Sequence, residues 1–177
     1  MALKKFTSPF DSVNFISFRD PAVDLEKSDE PKYWDSFFDP QYVTILDGEV
    51  ATEFTLGPLG PQHRGLIVDA IRGELGAEPG GIDYRLARRY AQESVRDVKN
   101  LFEWKLKHGV DAKSGLLNSS DFEMVPIEYK TQTIEAGRHQ RKVCHDSILD
   151  AIDMRVLEDI MLAVLRISMP SEAEKKS

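Results

Sequence analysis

The chain has 177 residues and a single cysteine, Cys144. One cysteine can form neither an intramolecular disulfide nor a CxxC metal motif, so both are excluded. No run of about 18 apolar residues occurs, so no membrane-spanning helix is expected. Residues 1–15 also lack an apolar run of the length that a secretion signal needs. These absences predict a cytoplasmic protein that has no membrane partner.

Catalytic signatures are also missing from the sequence. There is no GxSxG motif, and therefore no nucleophile elbow. The glycine-rich segment 73–81, "GELGAEPGG", precedes a predicted helix, but it lacks the ending of a P-loop and the spacing of a dinucleotide fingerprint. Glu74 and Glu78 would also repel a phosphate group. This segment therefore predicts an ordinary loop between two helices.

Segment 139–146, "HQRKVCHD", is the one place where metal ligands and a nucleophile occur together. Dependable zinc motifs pair their ligands at fixed spacings in two places, and here there is one cluster. A catalytic histidine normally reaches its cysteine from another part of the fold, whereas Cys144 and His145 are adjacent. We therefore predict a protein that is not an enzyme, with no catalytic residue, no metal and no cofactor. A small enzyme or metal-binding protein that uses this segment is the weaker alternative.

The composition that remains is that of a globular domain. The chain is 41% hydrophobic and 30% charged, which is enough to build one domain around a real core. Its formal net charge of −7 disfavours indiscriminate binding to nucleic acid.

Residues 1–40 combine prolines, acidic residues and aromatic rings. Pro9, Pro21, Pro31 and Pro40 recur about every ten residues and forbid a long helix. We predict that this segment is an extended acidic and aromatic arm, followed by a globular domain over 41–170 and a solvated tail over 171–177. The rings of the arm either pack on the protein's own core or lie over a partner, and both readings stay open. The residues predicted to contact a partner are Tyr33, Trp34, Phe37 and Phe38.

The body of the domain opens with a strand pattern. In "YVTILDGEVATEFTL", residues 42–56, two β-rich runs flank Asp47-Gly48, which is a strong turn signal. This pattern predicts a β-hairpin near residues 42–57. The Gly/Pro corner that follows turns the chain into a helix, in which Pro61 suits the first turn.

Helical patterns dominate the remaining sequence. Apolar residues at spacings of three to five predict one long helix over about 84–108, ending at Gly109. Residues 110–124 predict a loop, and segment 124–137 a short strand. The apolar residues of 146–168 predict a helix that breaks near Asp153. The predicted fold class is therefore α+β: a predominantly helical single domain with a β-hairpin near 42–57 and an extended N-terminal arm.

Basic residues form a stripe along the predicted long helix. Arg85, Arg89, Arg96 and Lys99 are spaced so that they share one helical face. Three readings stay open: a solvated face, pairing with the carboxylates of a protein partner, and contact with nucleic-acid phosphates. Among the predicted partner-binding residues we include Arg85, Arg89 and Arg96.

The layout as a whole resembles small bacteriophage proteins that are encoded among structural and assembly genes, such as tail assembly chaperones and minor virion components. The phrases that carry the resemblance are "DPAVDLEKSDEPKYWDSFFDP", "GEVATEFTLGPL" and "LEDIMLAVLRISMPSEAEKKS". The resemblance implies a non-catalytic role in building or decorating a virion. It also implies partners among other virion or assembly proteins or copies of the same chain, in the host cytoplasm during assembly or in the virion. A nucleic-acid-associated accessory protein that uses the arginine stripe is the alternative function.

Overall fold

The computed structural model of the chain describes residues 11–75, 84–113, 115–136 and 138–169. Within these residues it has seven strands, arranged in three small antiparallel sheets, and five α-helices. The fold is therefore mixed, and the prediction of a predominantly helical domain is wrong. The first ten residues and the tail predicted over 171–177 lie outside the described residues.

The strands and helices alternate along most of the chain. The strands are β1 (Val13–Phe15), β2 (Glu53–Leu56), β3 (Val95–Lys99), β4 (Phe102–Leu106), β5 (Phe122–Pro126), β6 (Thr131–Ala136) and β7 (His139–Cys144). The helices are α1 (Glu30–Asp35), α2 (Pro61–Leu75), α3 (Tyr84–Ser94), α4 (Asp146–Asp150) and α5 (Met154–Ser168). Two short 3₁₀ turns, Pro40–Tyr42 and Ser119–Asp121, lie between them.

The largest sheet has the order β1-β2-β3, with β2 in the centre. Its core face carries Phe15, Phe54 and Val98, which are paired across the ladders and are all buried. β4 pairs with β5, and β6 pairs with β7, as two separate two-stranded ribbons. Isolated ribbons of this size are marginal in water, so both depend on the body of the domain for support.

The core is closed by α3 and α5, which pack against each other. Their buried apolar residues join the sheet's core face in one continuous hydrophobic cluster, which includes Ala87, Tyr90, Leu157, Ile160 and Val164. One polar pair is enclosed in this region. The hydroxyl of Ser17 donates a hydrogen bond of 2.6 Å to the carboxylate of Asp159, and both residues are buried.

The long helix predicted over about 84–108 is wrong, because α3 ends at Ser94 and two strands follow. Val95 and Val98 are buried as strand residues, and Asn100, with a φ of 58°, turns the chain between β3 and β4. The apolar spacing of three to five residues arose where a short helix, a bend and two strands follow one another. Such a pattern matches the period of a helix although the segment is not one continuous helix.

The hairpin predicted near 42–57 is also wrong. The turn at Asp47-Gly48 exists, with a φ of 79° at Gly48, but residues 42–46 do not pair with β2. β2 is instead flanked by β1 and β3, so no edge is left for a third partner. The only pairing in this segment joins Ile45 to Val23 as an isolated bridge.

The prediction of an extended N-terminal arm is wrong for the part of that segment that the structure describes. Residues 11–40 contain a strand of the main sheet and a helix, and Phe15, Tyr33 and Phe38 are 1%, 1% and 3% exposed. The segment therefore belongs to the folded body, which agrees with the reading that its rings pack on the protein's own core.

Two local predictions are confirmed. α2 begins at Pro61, directly after the Gly/Pro corner. The C-terminal helical segment breaks at Asp153, which separates α4 from α5 and caps α5 by accepting a hydrogen bond of 2.9 Å from the backbone N–H of Arg155.

Candidate functional site

The four aromatic residues predicted to bind a partner form part of one ring cluster. Tyr33 and Phe38 are buried, and Trp34 and Phe37 are half-buried. Phe38 packs edge-on against Trp34 with ring centroids 5.1 Å apart, and both rings pack on Phe15. Tyr33 and Phe38 therefore belong to the core. Contact of the four residues with a partner stays a prediction.

Three of these rings also line an open depression, which we call the aromatic cleft. It encloses a volume of about 460 Å³ between β1 and the turn that follows α1. Tyr33, Phe37, Phe38, Asp39 and Glu53 are among the residues that line it. The guanidinium carbon of Arg166 on α5 lies 5.0 Å from the centroid of the Phe37 ring, a cation–π distance.

The predicted arginine stripe is divided between two elements. Arg85 and Arg89 lie on α3, whereas Arg96 lies on β3, so the three do not share one helical face. Arg96 donates a hydrogen bond of 3.1 Å to the backbone carbonyl of Asp11, and its guanidinium lies against Gly57, where any Cβ would collide with it. The arginine stripe of the sequence is therefore not a single helical face in the fold.

Arg88, the neighbour of this stripe, joins α3 to α4. Its guanidinium contacts Asp146 at 3.1 Å and Asp150 at 2.8 Å. A hydrogen bond from Gln132, together with Arg88, lowers the pKa of Asp146 below its usual value. This network positions the start of α4. Asp146, the last residue of segment 139–146, therefore has a structural role.

A buried carboxylate that the sequence gave no reason to single out lies on α3. The side chain of Glu93 is 2% exposed and faces three cationic or ionisable side chains. Its oxygens lie 2.9 Å from Arg141 on β7, 3.1 Å from His63 on α2 and 3.6 Å from Arg89. We call these four residues the Glu93 cluster. Only the Arg89–Glu93 spacing of four residues was visible in the sequence, because His63 and Arg141 come from distant segments.

The electrostatics of the Glu93 cluster follow from its geometry. Burial alone raises the pKa of Glu93, but the hydrogen bond from His63 and the charges of Arg141 and Arg89 outweigh it, so the net pKa is lowered. Glu93 is therefore ionised at neutral pH and ties α2, α3 and β7 together. The cluster has the geometry of a structural anchor, since the buried carboxylate is held by side chains from three elements.

Segment 139–146 does not assemble a nucleophile. Cys144 is fully buried, and burial, with a contribution from Asp146, raises the pKa of its thiol to about 12. A thiol with this pKa stays protonated at neutral pH and is a poor nucleophile. The ring of His145 caps α4, because its Nδ1 accepts the backbone N–H of Ser147 at 3.1 Å. Along β7, the five residue steps from His139 to Cys144 span roughly 17 Å, so the two cannot share a metal ion.

An exposed apolar surface lies on the β4–β5 ribbon. Alternation along the strands places six apolar side chains on one face, paired across the ladder as Phe102 with Pro126, Trp104 with Met124, and Leu106 with Phe122. Trp104 is 66% exposed, Met124 54% and Phe102 41%. We call this surface the ribbon face.

The opposite face of the same ribbon is mostly polar, with Val125 as its apolar member. Glu103 and Lys105 form an ion pair of 2.8 Å there, and Lys105 lies opposite Glu123 in the ladder. The ribbon is thus amphipathic, with its apolar side turned to solvent and not to the core. The sequence carried the signal for this surface, since Phe102, Trp104 and Leu106 alternate with charged residues, but the helical reading of the segment hid it.

Within the described ranges, no group of three or more histidine, cysteine, aspartate or glutamate side chains is arranged to hold a metal ion. The helices in the same part of the chain are all too short or too polar to cross a membrane.

Comparison with known proteins gives no relative from which a role could be carried over. No family model matches the chain, and neither a curated protein nor a solved structure matches it. The candidate surfaces are therefore interpreted from their own chemistry.

Proposed function

We propose that the protein is a non-catalytic structural or assembly protein of the bacteriophage type, and that it acts by protein–protein contact through the ribbon face. The observation that carries this proposal is the exposure of Trp104, Met124 and Phe102 on one side of a ribbon that has a mostly polar opposite side. Tryptophan, methionine and phenylalanine are enriched in protein interfaces, and exposed apolar patches of this kind mark interaction sites.

The size of the ribbon face sets the strength of the contact. Its six side chains expose on the order of 500 Å² of apolar surface, near the upper end for the largest patch of a monomer. Burial of that area contributes about 12 kcal/mol at roughly 25 cal/mol per Å². Association costs about 4–15 kcal/mol in lost freedom, so one such contact gives a weak complex.

A weak contact of this size suits an assembly in which many copies or several surfaces bind together. Multivalent attachment raises the overall affinity by about 10²–10⁴ without any new contact. The sequence phrases that resemble phage structural and assembly proteins agree with this role. The partners that fit are copies of the same chain or other assembly proteins that present an apolar surface.

The two alternative functions, nucleic-acid binding and thiol catalysis, depended on arrangements of residues that differ from those in the fold. Nucleic-acid binding depended on one helical stripe of arginines, which α3 and β3 divide. A thiol enzyme depended on Cys144, whose thiol is buried and has a raised pKa.

The experiment that tests the proposal compares two double variants of the same ribbon. Trp104→Ser with Met124→Ser removes one cross-strand pair from the ribbon face. Lys105→Ser with Glu123→Ser removes the adjacent pair from the polar face and serves as the matched control. The mass of each protein is measured by light scattering on a sizing column over a range of concentrations.

The proposal predicts that the wild type exceeds the monomer mass of 20.1 kDa as its concentration rises. The ribbon-face variant stays monomeric, and the control variant behaves like the wild type. Equal behaviour of the two double variants, with both folded, would show that the ribbon face does not mediate association between copies.

A further inference from the structure

The aromatic cleft lies along the outer edge of the main sheet. β1 is the outer strand of the order β1-β2-β3, and within the described residues it is paired on one side only. Ser12, Asn14 and Ile16 contribute to the lining of the cleft, so the cleft follows this outer edge of the strand. An unpaired edge of this kind presents backbone groups that can pair with another extended chain.

The direction of the backbone groups follows from one hydrogen bond. The N–H of Ile16 donates to the hydroxyl of Tyr33 at 2.7 Å, on the side of β1 that faces away from β2. Backbone groups of alternate residues point to the same edge of a strand, so the N–H and C=O of Asn14 also point to this outer edge. Together they form the donor and acceptor pair that an added antiparallel strand requires.

The charge of the cleft is negative. Asp39 and Glu53 line it, and among the described residues no lysine, arginine or histidine lines it, although Arg166 on α5 contacts the ring of Phe37. Asp39 accepts two hydrogen bonds from Gln41, at 3.0 and 2.7 Å, which leave its charge uncompensated. Lys99 lies opposite Glu53 in the β2–β3 ladder.

Aromatic rings add to this preference for a cation. Phe37 and Phe38 have φ angles of 55° and 70°, a backbone conformation in which glycine is the ordinary residue. Backbone strain of this kind concentrates at binding sites and switch regions. Both residues line the cleft, and the guanidinium of Arg166 lies 5.0 Å from the centroid of the Phe37 ring.

We propose that the aromatic cleft binds an extended basic segment of a protein partner. The segment adds to the outer edge of β1 through backbone hydrogen bonds with Asn14. One lysine or arginine side chain of the segment lies against the ring of Phe37 and pairs with the carboxylates of Glu53 and Asp39. This mode of recognition combines strand addition, which supplies affinity, with a side-chain pocket, which supplies specificity. The cleft is independent of the ribbon face and goes beyond the function proposed above.

The test uses a blocked pentapeptide of alternating lysine and valine as the probe. The protein carries Trp104→Phe, which leaves Trp34 as its sole tryptophan, since the chain has two. Trp34 packs on Phe38 at 5.1 Å and therefore reports on the wall of the cleft through its fluorescence. Three further probes are the same peptide with glutamate in place of lysine, the same peptide with a central proline, and blocked single lysine.

We expect saturable binding of the lysine peptide. Glu53→Gln should weaken that binding by about tenfold or more, because a charge-assisted contact is lost. Glu49→Gln, an exposed carboxylate outside the lining of the cleft, is the matched control and should leave the binding unchanged. The glutamate peptide should not bind, and the proline peptide should bind weakly because it lacks a backbone donor.

Each contrary result overturns the proposal in a definite way. Absence of binding by the lysine peptide removes it. Equal weakening by Glu53→Gln and Glu49→Gln would show general charge attraction, and equal binding of blocked lysine and the pentapeptide would show a site for small cations only. Because the test is made without Trp104, its failure leaves the ribbon-face proposal standing, and a failure of the ribbon-face variants leaves this proposal standing.

Discussion

Replacement of Glu93 by glutamine is the sharpest test of how the fold is held together. The carboxylate is 2% exposed, and it lies within 3.6 Å of Arg141, His63 and Arg89. Glu93→Gln keeps the size and one acceptor of the side chain but removes the negative charge. Arg141 and Arg89 are then left partly buried beside each other without their counter-charge.

The magnitude follows from this geometry. Removal of one partner from a buried ion pair costs about 3–5 kcal/mol. The amide of glutamine still accepts a hydrogen bond, so we expect the lower end, about 3 kcal/mol. For a chain of this length, 1 kcal/mol corresponds to about 2–4 °C in Tm, which gives a loss of roughly 6–12 °C.

The pH dependence of the stability lost in Glu93→Gln is a second, independent prediction. The pKa of Glu93 is lowered in the folded state, so its contribution to stability is present above the unfolded value, near 4.5. That contribution is lost as the pH falls through the lower pKa of the folded protein. The difference in the free energy of unfolding between wild type and Glu93→Gln should therefore be full at pH 7 and shrink below about pH 4.5.

The assay is urea unfolding at pH 7 and at acidic pH, with Glu26→Gln as an exposed control. The control should change stability by no more than about 0.5 kcal/mol. A double-mutant cycle with Arg141→Gln should give a coupling energy of about 1–3 kcal/mol. A loss below about 1 kcal/mol for Glu93→Gln, or a loss that does not depend on pH, would refute the reasoning.

Three further predictions test other contacts. Burial raises the pKa of Asp159 despite the hydrogen bond from Ser17, so its ionisation costs stability as the pH rises from 3.8 through the folded pKa. Asp159→Asn should therefore gain stability relative to wild type from pH 4 to pH 7 in urea unfolding, and a constant difference would contradict this. Asp153→Ala removes the N-cap of α5 and should lower the free energy of unfolding by about 1 kcal/mol; an unchanged value would show that the cap is dispensable. Cys144, which is fully buried and has a pKa of about 12, should not react with a thiol reagent at pH 8 unless urea is added, and rapid reaction of the native protein would show that the thiol is exposed.

The elements predicted correctly from the sequence are those that begin next to a turn-forming or helix-capping residue. Pro61 after a Gly/Pro corner begins α2, and Asp153 before an apolar run caps α5. In both cases a backbone requirement and its residue are neighbours in the chain. Local chemistry of this kind can be recognised without knowledge of the tertiary fold.

The wrong predictions come from segments whose partners are distant. The segment 84–106 has apolar spacings that fit a helix, but β3 forms because β2 pairs with it across about 40 residues of chain. The Asp47-Gly48 turn was read as a hairpin because nothing local shows that both edges of β2 are already occupied. Propensity and periodicity give way to tertiary pairing in such segments.

The candidate surfaces were hidden for related reasons. The alternation of Phe102, Trp104 and Leu106 was present in the sequence, and only its assignment to a helix prevented its recognition as an amphipathic strand. The Glu93 cluster had no sequence signal, since its members come from α2, α3 and β7. Packing of the aromatic residues on the protein's own core was one of two open readings, and the sequence could not decide between them because the sheet on which they pack was not visible in it.

The most direct measurement of the central claim is site-specific photo-crosslinking in the producing cell. A photoreactive phenylalanine derivative is placed at Trp104, on the ribbon face, or at Lys105, one residue away on the polar face. The account predicts that the first position forms a crosslink to a protein, either a second copy or an assembly partner, and that the second position does not. Absence of a protein crosslink from the Trp104 position, or equal crosslinking from both positions, would contradict the claim that the ribbon face is a protein-binding surface.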